Sequence, residues 1–489
     1  MPSNLQAART TAALSAVLCF LLSLLASCGN HGSSAAAPLP PPPALRGVSA
    51  HSPGDAPNTA RVRFDSSGFA AAHVRYRAGD DFGETLPETI GDGPTTLTVL
   101  GLLADTDYEL ELVLTPPEGG EVVEKVVVRT APLPSFLADE VRFETRGDTD
   151  GGGYFLTDVP TSRGRVVVAF DPMGRVRWFF FMPGLGNFSD KLPNGNFAAF
   201  VGTTIGWQPT YGWFAEIAPT GEIVARHQAP FGFYTDEHEL LLTPSPRGWY
   251  STVFTYDIRT VDMRRYGGRE DARLAAHQIA RFDPDGRRDF FWNGWDHIGL
   301  DELVESIAGL KEADIDHPNS LAVDHDGHYI VSFRNLSQVM KIDSGTGQVL
   351  WRFGGRRNEF TVVDDPLGGF SAQHCARIVE DGHLLLFDNG TRHRPQQSRA
   401  VEYALDVPTR TARMVFEYRP DPPIYAAFTG SVQRLSSGNT VVGFAYVGIV
   451  HEVDPTGQLV FEGRLFSSGQ PGFAYRILRI ASLAHAALP

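Results

Sequence analysis

Three of the fifteen histidines in this 489-residue chain fall at nearly one phase of a repeating pattern. His238 stands ten residues before Gly248, His317 ten before Gly327, and His374 eight before Gly382. Each lies just ahead of a segment that reads as a strand entering a hairpin. Arg334 follows the apolar run at 328–333, so it ends the strand that leaves the Gly327 turn near His317. Imidazole can be neutral for nucleophilic attack near pH 7, and guanidinium is a fixed, forked cation suited to an oxyanion. Brought together, these four side chains would grip a small anionic group and pass it on.

Other residue types carry less. His325, His328 and His383 lie in or beside turns, while His227, His277, His297, His393 and His451 share no phase and are read as structural. His73 alternates with apolar residues and reads as a solvent-facing strand residue. Phe233, Tyr234, Phe370, Tyr425 and Phe428 lie near the histidine motifs, but their spacing is that of core residues. Cys375 beside His374 is not read as a Cys/His pair, because neighbours on a strand point to opposite faces.

The elements that must position the histidines are repeats. A strand, an acidic or polar turn ending in glycine and a second strand recur at Asp171-Pro172-Met173-Gly174, Ala218-Pro219-Thr220-Gly221 and Asp283-Pro284-Asp285-Gly286. They return at Asp343 to Gly347 and at Asp454-Pro455-Thr456-Gly457, with a degenerate copy lacking glycine at 401–416. A second turn alternates with the first, at Asn194-Gly195, Asp326-Gly327, Asp381-Gly382 and Ser437-Gly438, most loosely at Gly248. Two hairpins per period make a four-stranded sheet, so the pattern predicts a β-propeller of about six blades. Equivalent positions on different blades meet at one mouth of the central channel, which is where the phased histidines would converge.

Ahead of the repeats, residues 45–132 read as a small all-β module. Alternating strands at 61–64 and 73–77, and Tyr108 at a strand entry, resemble a fibronectin type III sandwich with its tyrosine corner. Residues 1–27 read as a lipoprotein signal peptide, with Arg9, an apolar stretch and Leu25-Ala26-Ser27-Cys28 as a lipobox that marks Cys28 for lipidation. Residues 28–44 read as a Pro-, Ser- and Ala-rich tether, and 140–484 as the propeller domain. The chain is therefore expected to be exported and lipid-anchored, at the outer membrane facing the periplasm or the cell surface. Once Cys19 leaves with the signal and Cys28 carries lipid, Cys375 has no partner for a disulfide. A net charge of -15 argues against a nucleic-acid partner.

Several segments together resemble the bacterial arylsulfotransferases (aryl-sulfate sulfotransferases). They are His238-Glu239, Asp316-His317-Pro318-Asn319-Ser320, Ser332-Phe333-Arg334, Gln373-His374, the run from Leu384 to Gly390, and the run from Ser431 to Thr440. The likeness extends over roughly residues 140–465. It implies a six-bladed propeller behind a β-sandwich, and sulfuryl transfer from a phenolic sulfate ester to an acceptor phenol by ping-pong, without a nucleotide sulfate donor or any cofactor. By position, His374 matches the histidine that is transiently sulfated, and His238, His317 and Arg334 match the groups that hold the sulfuryl oxygens. The partners implied are an aryl sulfate donor and a phenolic acceptor, with a membrane lipid anchor and a homodimer as further expectations. Two features depart from the family: Pro318 restricts the backbone of His317, and better-known secreted members carry a disulfide.

Two rival readings keep the propeller. In one, the three histidines hold a divalent metal for a lyase or hydrolase, with Asp388 as the nearest carboxylate and Arg334 opposing a dication. In the other, the propeller is a non-catalytic binding scaffold on a lipid anchor.

Overall fold

A computed structural model describes residues 42–484, apart from 183–185, 187–188, 203–211, 231, 304–309 and 380. The signal segment, Cys28 and nearly all of the tether lie outside the described residues.

The Asp-Pro-x-Gly segments form the tight hairpin turns that their residue types favour. At 283–287 the Asp283 carboxylate accepts from the amides of Asp285 and Arg287, both at 2.9 Å. Gly286 meanwhile takes φ +77°, a left-handed conformation that costs glycine nothing. The same device recurs at Asp454, with Gly457 at φ +84°. In the glycine-less copy Arg410 itself adopts φ +54° between the strands Arg399–Asp406 and Thr411–Tyr418.

Among the described residues these hairpins assemble into six antiparallel sheets whose cores have four strands each. From the axis outward, sheet 1 holds Ile477–Ile480, Tyr154–Thr161, Gly164–Phe170 and Val176–Met182. Sheet 2 runs from Ser189–Lys191 to Ile223–His227, sheet 3 from Thr235–Ser245 to Arg288–Asn293, and sheet 4 from Pro318–Val323 to Val349–Gly354. Sheet 5 runs from His374–Ile378 to Thr411–Tyr418, and sheet 6 from Ser431–Arg434 to Leu459–Ser467. The middle strands are apolar on both faces, as in Val166 to Phe170, because each sheet is packed between two others.

Six buried clusters lie between successive sheets. Val167 and Trp178 of sheet 1 meet Phe197 of sheet 2, Phe200 of sheet 2 meets Leu240 of sheet 3, and Trp292 of sheet 3 meets Phe333 of sheet 4. Phe353 of sheet 4 meets Tyr403 of sheet 5, Phe387 of sheet 5 meets Phe444 of sheet 6, and Phe461 of sheet 6 stacks on Phe155 of sheet 1 at 4.8 Å. The sixth cluster closes the ring, which makes the fold a β-propeller. Two strand exchanges clasp it. The late strand Ile477–Ile480 is the innermost strand of sheet 1, and the early strand Val141–Gly147 is added outside Leu459–Ser467 in sheet 6.

The amino-terminal module is a sandwich. One sheet orders Ala44–His51, Thr59–Ser67 and Gly93–Leu100; the other orders Asp81–Glu84, Ala71–Ala78, Asp107–Thr115 and Val122–Arg129. Tyr108 anchors the preceding loop, its hydroxyl accepting from the Leu103 amide at 2.9 Å and donating to Asp81. Asp81 continues into the propeller. Its carboxylate accepts two hydrogen bonds from Arg177 of sheet 1, at 2.7 and 3.0 Å, and Arg177 also donates to Gly101 O and Asp171.

Candidate functional site

The three phased histidines all stand where an inner strand breaks its register. The pairing of Thr235–Ser245 with its neighbour shifts between Thr235 and Leu240, around His238. That of Pro318–Val323 shifts just after His317, and that of His374–Ile378 shifts between His374 and Arg377. A bulge re-aims side chains that regular alternation would send elsewhere. The backbone records it: His317 has φ +49° and Cys375 φ +53°, left-handed conformations unfavourable for residues with a Cβ. Pro318 thus accompanies a strained His317, not an extended one. Cys375 turns toward sheet 6, its Sγ donating to Val432 O at 3.5 Å, so it forms no pair with His374.

Packing between the sheets brings these residues together. The rings of His238 and His317 are 4.5 Å apart, edge to face, and Tyr475 lies 5.6 Å from His238. The Arg334 amide donates to His317 O at 3.0 Å, which ties the guanidinium's strand to that histidine. Polar residues of the resembling segments stitch the same level: Asn319 donates to Gln373 O at 2.7 Å, Ser320 Oγ accepts from the Ala376 amide at 3.0 Å, and Gln373 Nε2 donates to Ser332 Oγ at 2.9 Å.

Each imidazole has its own partner at Nδ1, and that partner acts together with burial and nearby charges. Asn389 Nδ2 donates to the carbonyls of Ala426 and Thr429, at 2.8 and 2.9 Å, so its Oδ1 faces His374 and accepts from Nδ1 at 2.7 Å. The lone pair of His374 is thereby left on Nε2. Burial and then the positive charge of Arg334 hold this imidazole well below the usual histidine range, against the Asn389 hydrogen bond. His374 is only 3% exposed and neutral at pH 7.

His238 is the opposite case. Burial lowers it, but Asp236, 2.8 Å from Nδ1, outweighs burial and raises it, favouring an imidazolium that offers Nε2–H. His317 bonds Asp314 at 2.6 Å, yet burial, aided by His238 and Arg334, leaves it lowered. The site therefore joins a neutral imidazole, one that favours its cation, a third with its pKa lowered, and a guanidinium.

Asp388, the nearest carboxylate on a metal reading, is unsuited to that role. It is fully buried and accepts from Arg399 Nε at 2.9 Å, from the Ser371 and Gly390 amides, and bonds His393 at 2.7 Å. His277, Asp314 and Asp316 offer donor atoms within 4.8 Å of one another. Asp316 Oδ1 is already bonded to His277 Nδ1 at 2.6 Å and to the His317 amide at 2.9 Å, and Asp314 Oδ2 to His317 Nδ1 at 2.6 Å.

The sequence model of a family described as Arylsulfotransferase (ASST) matches residues 209–466, more than half of the chain and all four of the residues above. The chain belongs to the arylsulfotransferase family. No curated protein matches it. Among solved structures, a Bacteroides caccae protein of unknown function is 12% identical, with a TM-score of 0.41 over 68% of this chain and 100% of that one. Virginiamycin B lyase from Staphylococcus aureus is 11% identical, with a TM-score of 0.32 over 66% of this chain and 74% of the lyase. A Lactobacillus plantarum protein is also 11% identical, with a TM-score of 0.33 over 84% and 99% of the two chains.

The phase of the repeat locates the three histidines of this arylsulfotransferase-family chain but not what orients them. Asp236 and Asp314 lie two and three residues ahead of their histidines, and this short spacing was the available signal. Asn389 lies in the Leu384–Gly390 run, with nothing local to mark its role. Phe428 corrects its reading as core. It is 49% exposed, and its ring covers the Arg334 guanidinium at 4.8 Å. Tyr446, 42% exposed, lies 5.7 Å beyond it, and Phe473 a further 6.0 Å from Tyr446. Phe233 is likewise exposed, whereas Phe370 is buried in the core.

Proposed function

We propose that this protein transfers a sulfuryl group from an aryl sulfate to an acceptor phenol, without a nucleotide sulfate donor, through a transiently sulfated His374. The observation that carries the reading is the fixed tautomer of a buried, neutral His374, its Nε2 lone pair free to attack beside a guanidinium. In the first half-reaction Nε2 attacks sulfur, the bond from sulfur to the aryl oxygen breaks, and the phenolate leaves with the electron pair. His238 as imidazolium and Arg334 stabilise the peripheral sulfuryl oxygens, where charge gathers in a loose transition state. In the second half-reaction an acceptor phenol attacks sulfur and gives its proton to Nε2 of His317, while the S–N bond breaks and its electron pair returns to His374. The next departing phenolate takes that proton back, so the cycle is balanced.

The exposed rings of Phe428 and Tyr446 support an aryl platform beside Arg334, where substrate rings stack. The lipobox ending at Cys28 supports an activity exercised outside the cytoplasm on a lipid anchor.

The test is steady-state transfer from a chromogenic aryl sulfate to a phenol. Parallel double-reciprocal lines and loss of at least about 10³-fold in His374→Ala are expected. In Phe428→Ala, KM should rise several-fold with kcat nearly unchanged. Intersecting lines with an active His374→Ala variant would refute the reading.

A further inference from the structure

His277 shares no phase with the other histidines, and the sequence gives it no part in the chemistry. The structure places it in the middle strand Ala272–Phe282 of sheet 3, 1% exposed, where it touches the supports of both flanking histidines. Its Nδ1 is 2.6 Å from Asp316 Oδ1 and 3.7 Å from Asp314 Oδ1, and its Nε2 is 3.4 Å from Asp236 Oδ2. Asp236 is the carboxylate that holds His238, and Asp314 the one that holds His317.

We infer that His277 is a positioning residue, an imidazolium clamped between the two carboxylate supports that fixes the geometry and charge of His238 and His317 together. This rests on the sulfuryl-transfer reading for its consequence but not for its geometry.

Every carboxylate that faces the ring favours its cation. Asp236 approaches from the inner strand, Asp314 from Glu312–Asp314, and Asp316 from the turn that follows. Tyr256, paired with His277 across the sheet with its ring 4.4 Å away, donates its hydroxyl to Asp236 Oδ2 at 2.5 Å and presents no charge. The remaining charged neighbour, His238, lies beyond Asp236 and opposes the cation weakly. Three carboxylates buried around one point could not all stay ionised without a positive charge among them. Burial lowers His277, but Asp316 and Asp314 outweigh it and hold it well above the usual histidine range. The room for this cluster is set by Gly294, where a Cβ would stand 2.7 Å from Asp316 Oδ2.

The primary test needs no variant. In ¹⁵N NMR of the imidazole nitrogens of the intact protein, His277 should show both nitrogens protonated and non-titrating from about pH 6 to 8. A neutral His277 in that range overturns the proposal, whether or not the protein transfers sulfuryl groups.

The second test is the pH profile of kcat/KM in His277→Gln. Removing a positive charge makes protons harder to remove from its neighbours, so the acid limb should move to higher pH by about one unit. The loss should lie in kcat, about 10- to 100-fold, with KM nearly unchanged. Loss of stability with an unmoved pH profile would assign His277 a packing role only. Stoichiometric bound metal whose removal abolishes activity would assign the cluster to a cation instead, and would equally overturn the proposal.

Discussion

At the residue scale, the decisive feature is that similar imidazoles are given different charges by burial, by neighbouring charges and by what sits at Nδ1. Burial and Arg334 hold His374 neutral against its bond to the Asn389 amide oxygen, whereas the Asp236 carboxylate favours the cation of His238. A transfer that needs both forms should lose rate at each side of neutrality. Rate falls at low pH as His374 or His317 takes up a proton, both being lowered, and at high pH as His238, which is raised, loses one. Asn389→Asp tests the first arm. A carboxylate accepting from Nδ1 favours the imidazolium of His374, so the acid limb of kcat/KM should move upward by about one to two units. A profile unchanged by this substitution would mean that His374 does not set that limb. The histidines themselves were legible in the sequence because the repeat carries them in phase. Their partners were less so: Asp236 and Asp314 lie close in sequence, but Asn389 is fifteen residues from His374, and only the pairing of His374–Ile378 with Leu384–Asp388 brings it back to the ring.

At the element scale, the site depends on breaks in the inner strands. The alternation rule correctly separates Cys375 from His374, but the cause is a bulge with Cys375 at φ +53°. Such a conformation excludes a β-branched side chain and suits glycine. Cys375→Val should therefore destabilise the protein by about 1–3 kcal/mol and lower kcat by shifting His374, while Cys375→Gly should keep most activity. Thermal unfolding and transfer rates of the two variants check this, and equal behaviour would show that the bulge is not under strain. Turns were the most legible elements, since an aspartate and a glycine at fixed offsets define their own hydrogen bonds. Bulges were hidden, because no residue type in His238-Glu239 or His374-Cys375 marks an extra residue in a ladder.

At the scale of the whole molecule, the ring is closed by strands from its two ends, and the sandwich is fixed to sheet 1 through Arg177. That arginine binds Asp81 and Asp171 in a buried setting, and Asp81 in turn accepts from Tyr108, so one ion cluster joins the corner of the sandwich to the propeller. Arg177→Ala leaves Asp81 without its cation, while Asp171 keeps Arg175, and should cost about 3 kcal/mol. Urea unfolding should show an earlier transition, with kcat for transfer unchanged because the site lies on other sheets. A variant with normal stability would show that the sandwich is held by other contacts. The repeat made the propeller visible from sequence. The docking did not show, since Arg177 looks like any alternating strand residue until Asp81 is brought to it across 96 positions.

In the proposed mechanism the sulfuryl group rests, between half-reactions, on one nitrogen of His374. Brief incubation with an aryl sulfate and no acceptor, followed by quenching without acid and peptide mass spectrometry, tests it most directly. A gain of about 80 Da on the peptide containing His374, removed when a phenol is added, is the predicted result. Turnover with no such adduct on that peptide, or with the adduct on another residue, would contradict the account.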